Sequence, residues 1–409
     1  MFWTLILATA FLLVGIFAKI EIFMALGWLL LGGFVISRIW LWRIRQKLYF
    51  VREIPNFAHT GDVMNVKLAI NNGSLLPVPY LSVRDNYPPD LEVEPRPNWL
   101  LNVRSREKVN MNFQIKCKRR GRFKVGPLEM AVGVALDTSA IPTGEYRQTQ
   151  FRDRLVVYPM VLPLERLGLP SRVSLGNLKT HQHLLPDPSY VAGVRNYLAG
   201  DDPRHIDWRN TARVGELQVK VFEKTRQIPL AIFLDLHLGD YSFDWRMAGE
   251  AAIVVAASLA NRAQELKQPF GLYSNGFDPG WDNLPPHIEM PGPERPPRSG
   301  ENWLTETLET LAGIEMRVET FPMAKLMGKW AGSLPWGATI AVVSPEPSPD
   351  LVTELSRLRK IGFVTIAIFT NKRGHTAEQF NQIQALKTMG IQCHHINHPV
   401  ELALGNTTH

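Results

Sequence analysis

Two apolar stretches at the start of the chain constrain its fold most. Met1–Phe17 is apolar apart from Thr4, Thr9 and Gly15, and Ile22–Ile36 is a second such stretch with no charge until Arg38. Ala18-Lys19-Ile20-Glu21 separates them. A bilayer-spanning helix takes about 20 apolar residues, with tolerance down to about 17. Adding Ala18 to the first stretch, and Ile20 plus Ser37–Trp42 to the second, brings both into that range. Residues 1–47 are therefore expected to form a transmembrane helical hairpin. A signal peptide would need a basic start, which Met1-Phe2-Trp3-Thr4 lacks. Arg38, Arg43, Arg45 and Lys47 follow the second stretch, whereas the break holds only Lys19 beside Glu21. The positive-inside rule then predicts a multi-pass inner-membrane protein with its bulk in the cytoplasm. Trp28, Trp40 and Trp42 are candidate interface markers.

The rest divides by pattern. Residues 48–160 read as short strands. Val66, Leu68 and Ile70 alternate before the turn signal Asn71-Asn72-Gly73. Val109, Met111, Phe113 and Ile115 share one face of Lys108–Lys116. Many short strands with frequent turns predict an immunoglobulin-like β-sandwich. Residues 161–228 read as irregular and charged. Residues 229–409 read as an α/β doubly wound domain. Pro229–Leu234, Phe270–Tyr273, Thr339–Val343, Phe363–Phe369 and Ile391–Ile396 are strand candidates. Arg246–Lys267, Gly300–Gly313, Phe321–Ser333, Pro349–Lys360 and Ala377–Met389 are helix candidates between them. Pro279–Pro297 holds seven prolines in nineteen residues, too many for a helix or a central strand, and is expected to be an exposed excursion.

Composition narrows the partners. The net charge is +7, yet no long Lys/Arg run of the nucleic-acid type occurs. The basic residues cluster after the apolar segment and in Lys116–Lys124, a placement that a lipid surface explains and that predicts no nucleic-acid partner. The two cysteines, Cys117 and Cys393, form no paired framework and fit a reducing compartment.

The densest polar segment is Gly193–Arg213 with its continuation through Lys220 and Glu223. It resembles the signature of the bacterial domain-of-unknown-function 58 (DUF 58) family, roughly R-x-Y-x-x-G-D-x-x-R-x-I-D-W-x-x-[ST]-A-R. Arg195, Tyr197, Gly200, Asp201, Arg204, Ile206, Asp207, Trp208, Thr211, Ala212 and Arg213 fill its fixed positions. Arg119-Arg120-Gly121-Arg122-Phe123 with Gly126-Pro127 is similar to the family's sandwich hairpin, whereas Asp137-Thr138-Ser139 stands where many relatives have Asp-Pro-Phe-Gly. The resemblance implies two membrane helices, a β-sandwich, the signature and a von Willebrand A-like domain. It also implies partnership with a MoxR-type AAA+ ATPase that assembles or remodels other proteins.

Three readings of the cluster are open. Asp201, Asp202, Asp207 and Glu223 lie among Arg195, Arg204, Arg209, Arg213 and Lys220, which fits an intramolecular ion network with Trp208 plugged into a core. The same residues fit a partner surface. Paired carboxylates with His205 could also serve as acid and base, although no nucleophile or cofactor loop accompanies them.

A working von Willebrand A domain holds Mg²⁺ through Asp-x-Ser-x-Ser after its first strand. Here that stretch reads Asp235-Leu236-His237-Leu238-Gly239, without the serines, and Ser344-Pro345-Glu346 stands where a later aspartate is expected. The metal site is expected to be degenerate, with Asp235 capping the next turn. His181 and His183 read as loop. Cys393, His394, His395 and His398 lack a second pair of zinc ligands, and the histidines are expected to be solvated. No phosphate-binding Gly-rich loop occurs, so no cofactor is expected. The chain thus reads as a membrane-tethered scaffold or adaptor and not as an enzyme. The alternatives are a metal- or carboxylate-dependent hydrolase built on Asp201–Asp207, and a cell-surface ligand-binding protein.

Overall fold

The computed structural model describes residues 2–134, 137–142, 153–170, 191–222, 228–241, 245–281, 292–318, 320–371 and 376–396. The chain forms two compact units: Met1–Met160 with Gly280–Asn283 and Leu308–Gly313, and Val161–Pro279 with Leu284–Thr307 and Ile314–His409.

The first unit begins with helices α1 (Phe2–Ala18) and α2 (Glu21–Arg45), joined by Lys19 in the left-handed region and Ile20. They pack on one another, with Phe11 stacked on Phe23 at 5.8 Å and Gly27 against Leu12. Among the described residues one helix, Glu21–Ile44, is long and apolar enough to cross a membrane, and the apolar helix Thr4–Ala18 is shorter. Of the two expected spans, α2 alone reaches that length among the described residues, the apolar helix Thr4–Ala18 within α1 being shorter. The end of α2 also departs from expectation. Leu41 and Ile44 are buried in the core of the β-structure that follows, so Ser37–Trp42 is not simply an extension of a lipid-facing span.

That β-structure consists of two antiparallel four-stranded sheets around one core. The first has the order β1 (Leu48–Glu53), β3 (Val63–Asn72), β7 (Lys108–Cys117), β5 (Leu91–Glu94). The second has the order β10 (Asp137–Pro142), β9 (Leu128–Val134), β4 (Val78–Asp85), β6 (Asn98–Val103). A third sheet joins β2 (Phe57–His59), β11 (Asp153–Tyr158) and β8 (Gly121–Val125). The alternation read in the sequence is the burial pattern. Val66, Leu68 and Ile70 on β3 face the core with Met111, Phe113 and Ile115 on β7. Asp137-Thr138-Ser139 opens strand β10.

Inside this apolar core sits an ion cluster. Arg52 donates to both Asp85 oxygens and, at 2.6 Å, to Asp153, while the Tyr87 hydroxyl donates to Asp85 at 2.7 Å. The Arg52 and Asp85 side chains are almost fully buried. The cluster links β1, β4 and β11.

The second unit holds a six-stranded sheet of order β16 (Glu294–Arg298), β15 (Phe270–Ser274), β14 (Leu230–Leu234), β17 (Thr339–Ser344), β18 (Val364–Phe369), β19 (Gln392–His395). All pairs are parallel except β15–β16. Numbered within the sheet the order is 3-2-1-4-5-6, a doubly wound arrangement. β14 and β17 are buried at every residue, as their uninterrupted apolar runs require for strands covered on both faces. Helix α4 (Trp245–Glu265) packs on β14, β15 and β17. Helices α6 (Met323–Ala331), α7 (Pro349–Ile361) and α8 (Ala377–Thr388) share a core with Ala231, Phe233, Ile340 and Val342. Helix α5 (Glu301–Gly313) follows β16.

The Pro-rich excursion needs correction. Its described end, Glu294-Arg295-Pro296-Pro297-Arg298, is the antiparallel edge strand β16, where a proline costs no ladder bond on the open side. Gly271 admits it, because a Cβ there would stand 2.6 Å from the Arg295 carbonyl oxygen. Residues 282–291 lie outside the described residues.

Candidate functional site

The signature is built from turn and cap chemistry. Strands β12 (Val191–Asn196) and β13 (Gln218–Phe222) form an antiparallel pair, extended by Tyr197 N–H to the Leu217 carbonyl at 2.8 Å. Asp201 then closes a turn. Its carboxylate accepts two bonds of 2.7 Å from the Arg195 guanidinium and one of 2.9 Å from Leu198 N–H. Gly200 supplies the positive φ (108°) that the turn needs. Asp202 accepts from Arg204 N–H and caps a 3-10 turn, Pro203–His205. Asp207 caps α3 (Trp208–Val214), accepting from the N–H groups of Arg209 and Asn210. Gly215 (φ 80°) ends α3. Gln218 ties helix to hairpin, with its N–H donating to Thr211 Oγ1 at 3.0 Å and its amide to Asn196 at 2.6 Å.

The segment is thus a small ordered module, not an irregular one. The expected ion network reduces, among the described residues, to the Arg195–Asp201 pair. Asp202 and Asp207 serve backbone N–H groups instead, which suits short carboxylates at helix starts. The Arg195 pair, then the Leu198 N–H, holds the Asp201 carboxyl below the usual range. Trp208 does not plug a core. It is 67% exposed, because it stands at the first position of a seven-residue helix with no buried member. Val194, Leu198, Val214 and Leu217 are exposed too. Arg204, Arg209 and Arg213 face solvent, Lys220 and Tyr197 are half-buried, and Glu223 lies outside the described residues.

A second polar cluster lies at the switch point of the doubly wound sheet, between β14 and β17, where such folds form their ligand crevice. Asp235 follows β14 and is 3% exposed. Its Oδ1 accepts from the Asn275 amide (2.8 Å) and His237 N–H (3.2 Å), and its Oδ2 from the Ser344 hydroxyl (3.0 Å). The half-buried Tyr241 donates its hydroxyl to the Asp235 carbonyl at 2.6 Å. Burial, then the charge of Asp240, pushes the Asp235 carboxyl up to about 6, against these hydrogen bonds. The Asp235–His237 bond is the turn cap read in the sequence. In the sequence Asn275 shows itself only through Ser274-Asn275-Gly276 at a strand end.

These residues do not fit a divalent cation. Both Asp235 oxygens are engaged by protein donors, and His237 and Gly239 stand where hydroxyl ligands would be needed. Among the described residues no three His, Cys, Asp or Glu side chains converge. His394 and His395 lie on β19 and are half-buried, not solvated, because α8 packs beside that strand. Burial, then Lys387, lowers the His394 pKa. His181, His183 and His398 lie outside the described residues.

Comparison with known proteins bears on the signature directly. Residues 193–286 match the family "Protein of unknown function DUF58". The DUF58 match spans the hairpin module, β14, α4 and β15. The chain is also 26% identical over 229 residues to the uncharacterized protein YeaD of Bacillus subtilis strain 168, and spans about half of that relative, 53% of each chain being covered. Two of the similar solved structures are Escherichia coli alpha-2-macroglobulin and the CARDB domain of PF1109 from Pyrococcus furiosus. The first is 13% identical over 28% of this chain and 7% of that one, with a TM-score of 0.22. The second is 13% identical over 27% of this chain and 94% of that one, with a TM-score of 0.20. Scores this low carry no argument.

Proposed function

We propose that this chain is a membrane-tethered adaptor whose signature module is the contact face for a soluble protein partner. The observation that carries the reading is the exposure of Trp208 on an ordered module. An exposed indole on the same module as exposed Arg204, Arg209 and Arg213 has the composition of an interface hot spot. The partner that the DUF58 resemblance suggests is a MoxR-type AAA+ ATPase in protein assembly or remodelling. Helix α2 holds the chain in a bilayer, with α1 beside it as the second arm of the anchor. Arg38, Arg43 and Arg45 in the C-terminal part of α2, with Lys47 just after it, favour a cytoplasmic bulk. The strand order 3-2-1-4-5-6 with an antiparallel third strand supports the von Willebrand A-like reading, and the engaged oxygens of Asp235 support a crevice that works without a metal.

The hydrolase alternative finds less support. Asp201 is committed to Arg195, and Asp202 and Asp207 to backbone N–H groups, so each carboxylate already serves a structural partner within the module. The adaptor reading is tested by calorimetric titration of the detergent-solubilised chain with a MoxR-type ATPase from the same cell. Trp208→Ala is expected to weaken binding by about 30-fold, a typical hot-spot loss of about 2 kcal/mol, with unchanged thermal stability. Equal affinity of the variant would remove the module from the interface.

A further inference from the structure

The loop between β3 and β4, Gly73-Ser74-Leu75-Leu76-Pro77, is fastened at one end to the turn after α2 and at the other to α2 itself. Gly73 N–H donates to the Lys47 carbonyl at 2.9 Å, and the Trp40 indole donates to the Pro77 carbonyl at 3.0 Å. Between these ties Leu75 is 67% exposed, while its neighbour Leu76 packs on the core. Leu75 is not exposed by slackness. Asn72, fully buried, donates to the carbonyls of Leu76 and Arg104, both at 2.9 Å, and accepts from the Ser74 N–H and hydroxyl. Arg106 N–H and the Ser105 hydroxyl both donate to the Ser74 carbonyl. The loop is a braced projection with an apolar tip.

Its height along α2 follows from helix geometry. At 1.5 Å per residue, Trp40 stands about 28 Å and Arg43 about 33 Å from Glu21. A hydrocarbon layer is about 30 Å thick. With Glu21 at one surface, Trp40, Trp42 and Arg43 therefore reach the opposite headgroup layer, where aromatic and basic side chains favour the interface. Trp42 is 57% exposed, with the Arg43 guanidinium 5.9 Å from its ring centroid. The Leu75 loop is tied to this same stretch, and the adjoining turn brings exposed Arg104 and Arg106 beside it.

We infer that the Leu75 loop is a second membrane contact. Leu75 sits in the interfacial layer of an anionic bilayer, Arg104 and Arg106 meet lipid phosphates, and the β-sandwich is thereby held at a fixed attitude on the membrane. The inference rests on the reading of α2 as membrane-inserted. An apolar tip flanked by arginines is the composition of a surface that lies on anionic lipid. In water the exposed leucine gains nothing, and a loop braced by this many hydrogen bonds has no conformational reason to display it.

The test uses the full chain with Cys393→Ser, the buried Cys117 being left in place, reconstituted in vesicles of phosphatidylcholine and phosphatidylglycerol. An environment-sensitive fluorophore is attached at Leu75→Cys or, as control, at the exposed Glu378→Cys on α8. Flotation after alkaline carbonate washing reads the α2 anchor, and quenching by headgroup-nitroxide lipid reads the loop. The expected result is flotation of both proteins, with strong quenching and blue-shifted emission at position 75 only. Arg104→Gln with Arg106→Gln is expected to weaken that quenching in anionic vesicles. Flotation with equal quenching at positions 75 and 378 overturns the loop contact and leaves the anchor standing. Quenching unchanged by the arginine pair overturns their role. A protein that does not float overturns the anchor and this inference together.

Discussion

Replacing Asp235 with Asn isolates one buried charge. Asp235 is 3% exposed, and its carboxyl is pushed from 3.8 up to about 6, chiefly by burial. A folded-state value above the unfolded one means that the native chain binds the proton more tightly. This group's contribution is therefore most favourable below pH 4, declines as pH rises, and reaches its full cost above pH 6. The gap between 3.8 and about 6, at about 1.4 kcal/mol per unit, sets that cost at about 3 kcal/mol. Asn keeps the shape. Its carbonyl can accept from Asn275 and His237, and its amide can face Ser344, whose hydroxyl already reaches the Glu346 carbonyl at 3.3 Å. The assay is thermal unfolding of the solubilised chain at pH 5, 6, 7 and 8. The variant is expected to melt above the parent at pH 7, by roughly 6–12 °C if the full cost is recovered at 2–4 °C per kcal/mol. The advantage should shrink toward pH 4. A variant that melts lower at every pH would show that the charge itself, and not its hydrogen-bonded shape, holds the crevice together.

Other perturbations have clear expected results. Asp85→Ala leaves the buried Arg52 with Asp153 as its remaining carboxylate partner and should cost about 3–5 kcal/mol. The Arg52→Met, Asp85→Leu double variant should recover most of that loss in a thermal melt. Asp207→Ala removes the cap of α3 and should cost about 1 kcal/mol locally, seen as faster amide exchange at Arg209 and Asn210 without a global change in melting.

The α/β sheet was legible because a strand covered on both faces leaves an unbroken apolar run. Leu230–Leu234 and Thr339–Ser344 could hardly be anything else, and α4 shows itself by its length and its alanines. The β-sandwich was legible in the same way from the period-two burial of β3 and β7. The signature module was not, because its order comes from side-chain-to-backbone bonds at Asp201, Asp202 and Asp207, which leave no hydrophobic period. Trp208 departs from the general tendency of tryptophan to be covered, because it opens a short helix with no buried member. Edge strand β16 was hidden by its prolines, whose tolerance depends on which side of the strand is open. Asn275 was hidden because its role depends on a partner forty residues away in sequence, brought close by the parallel pairing of β14 and β15.

The exposed signature module is proposed as the face on which a partner docks. A photocrosslinking residue placed at Trp208 in cells carrying the full chain tests it most directly, with the same residue at Glu378 as reference. The expected result is a membrane-associated adduct with a MoxR-type ATPase from position 208 and none from position 378. An ATPase adduct from position 378 alone, or none from either, would contradict it.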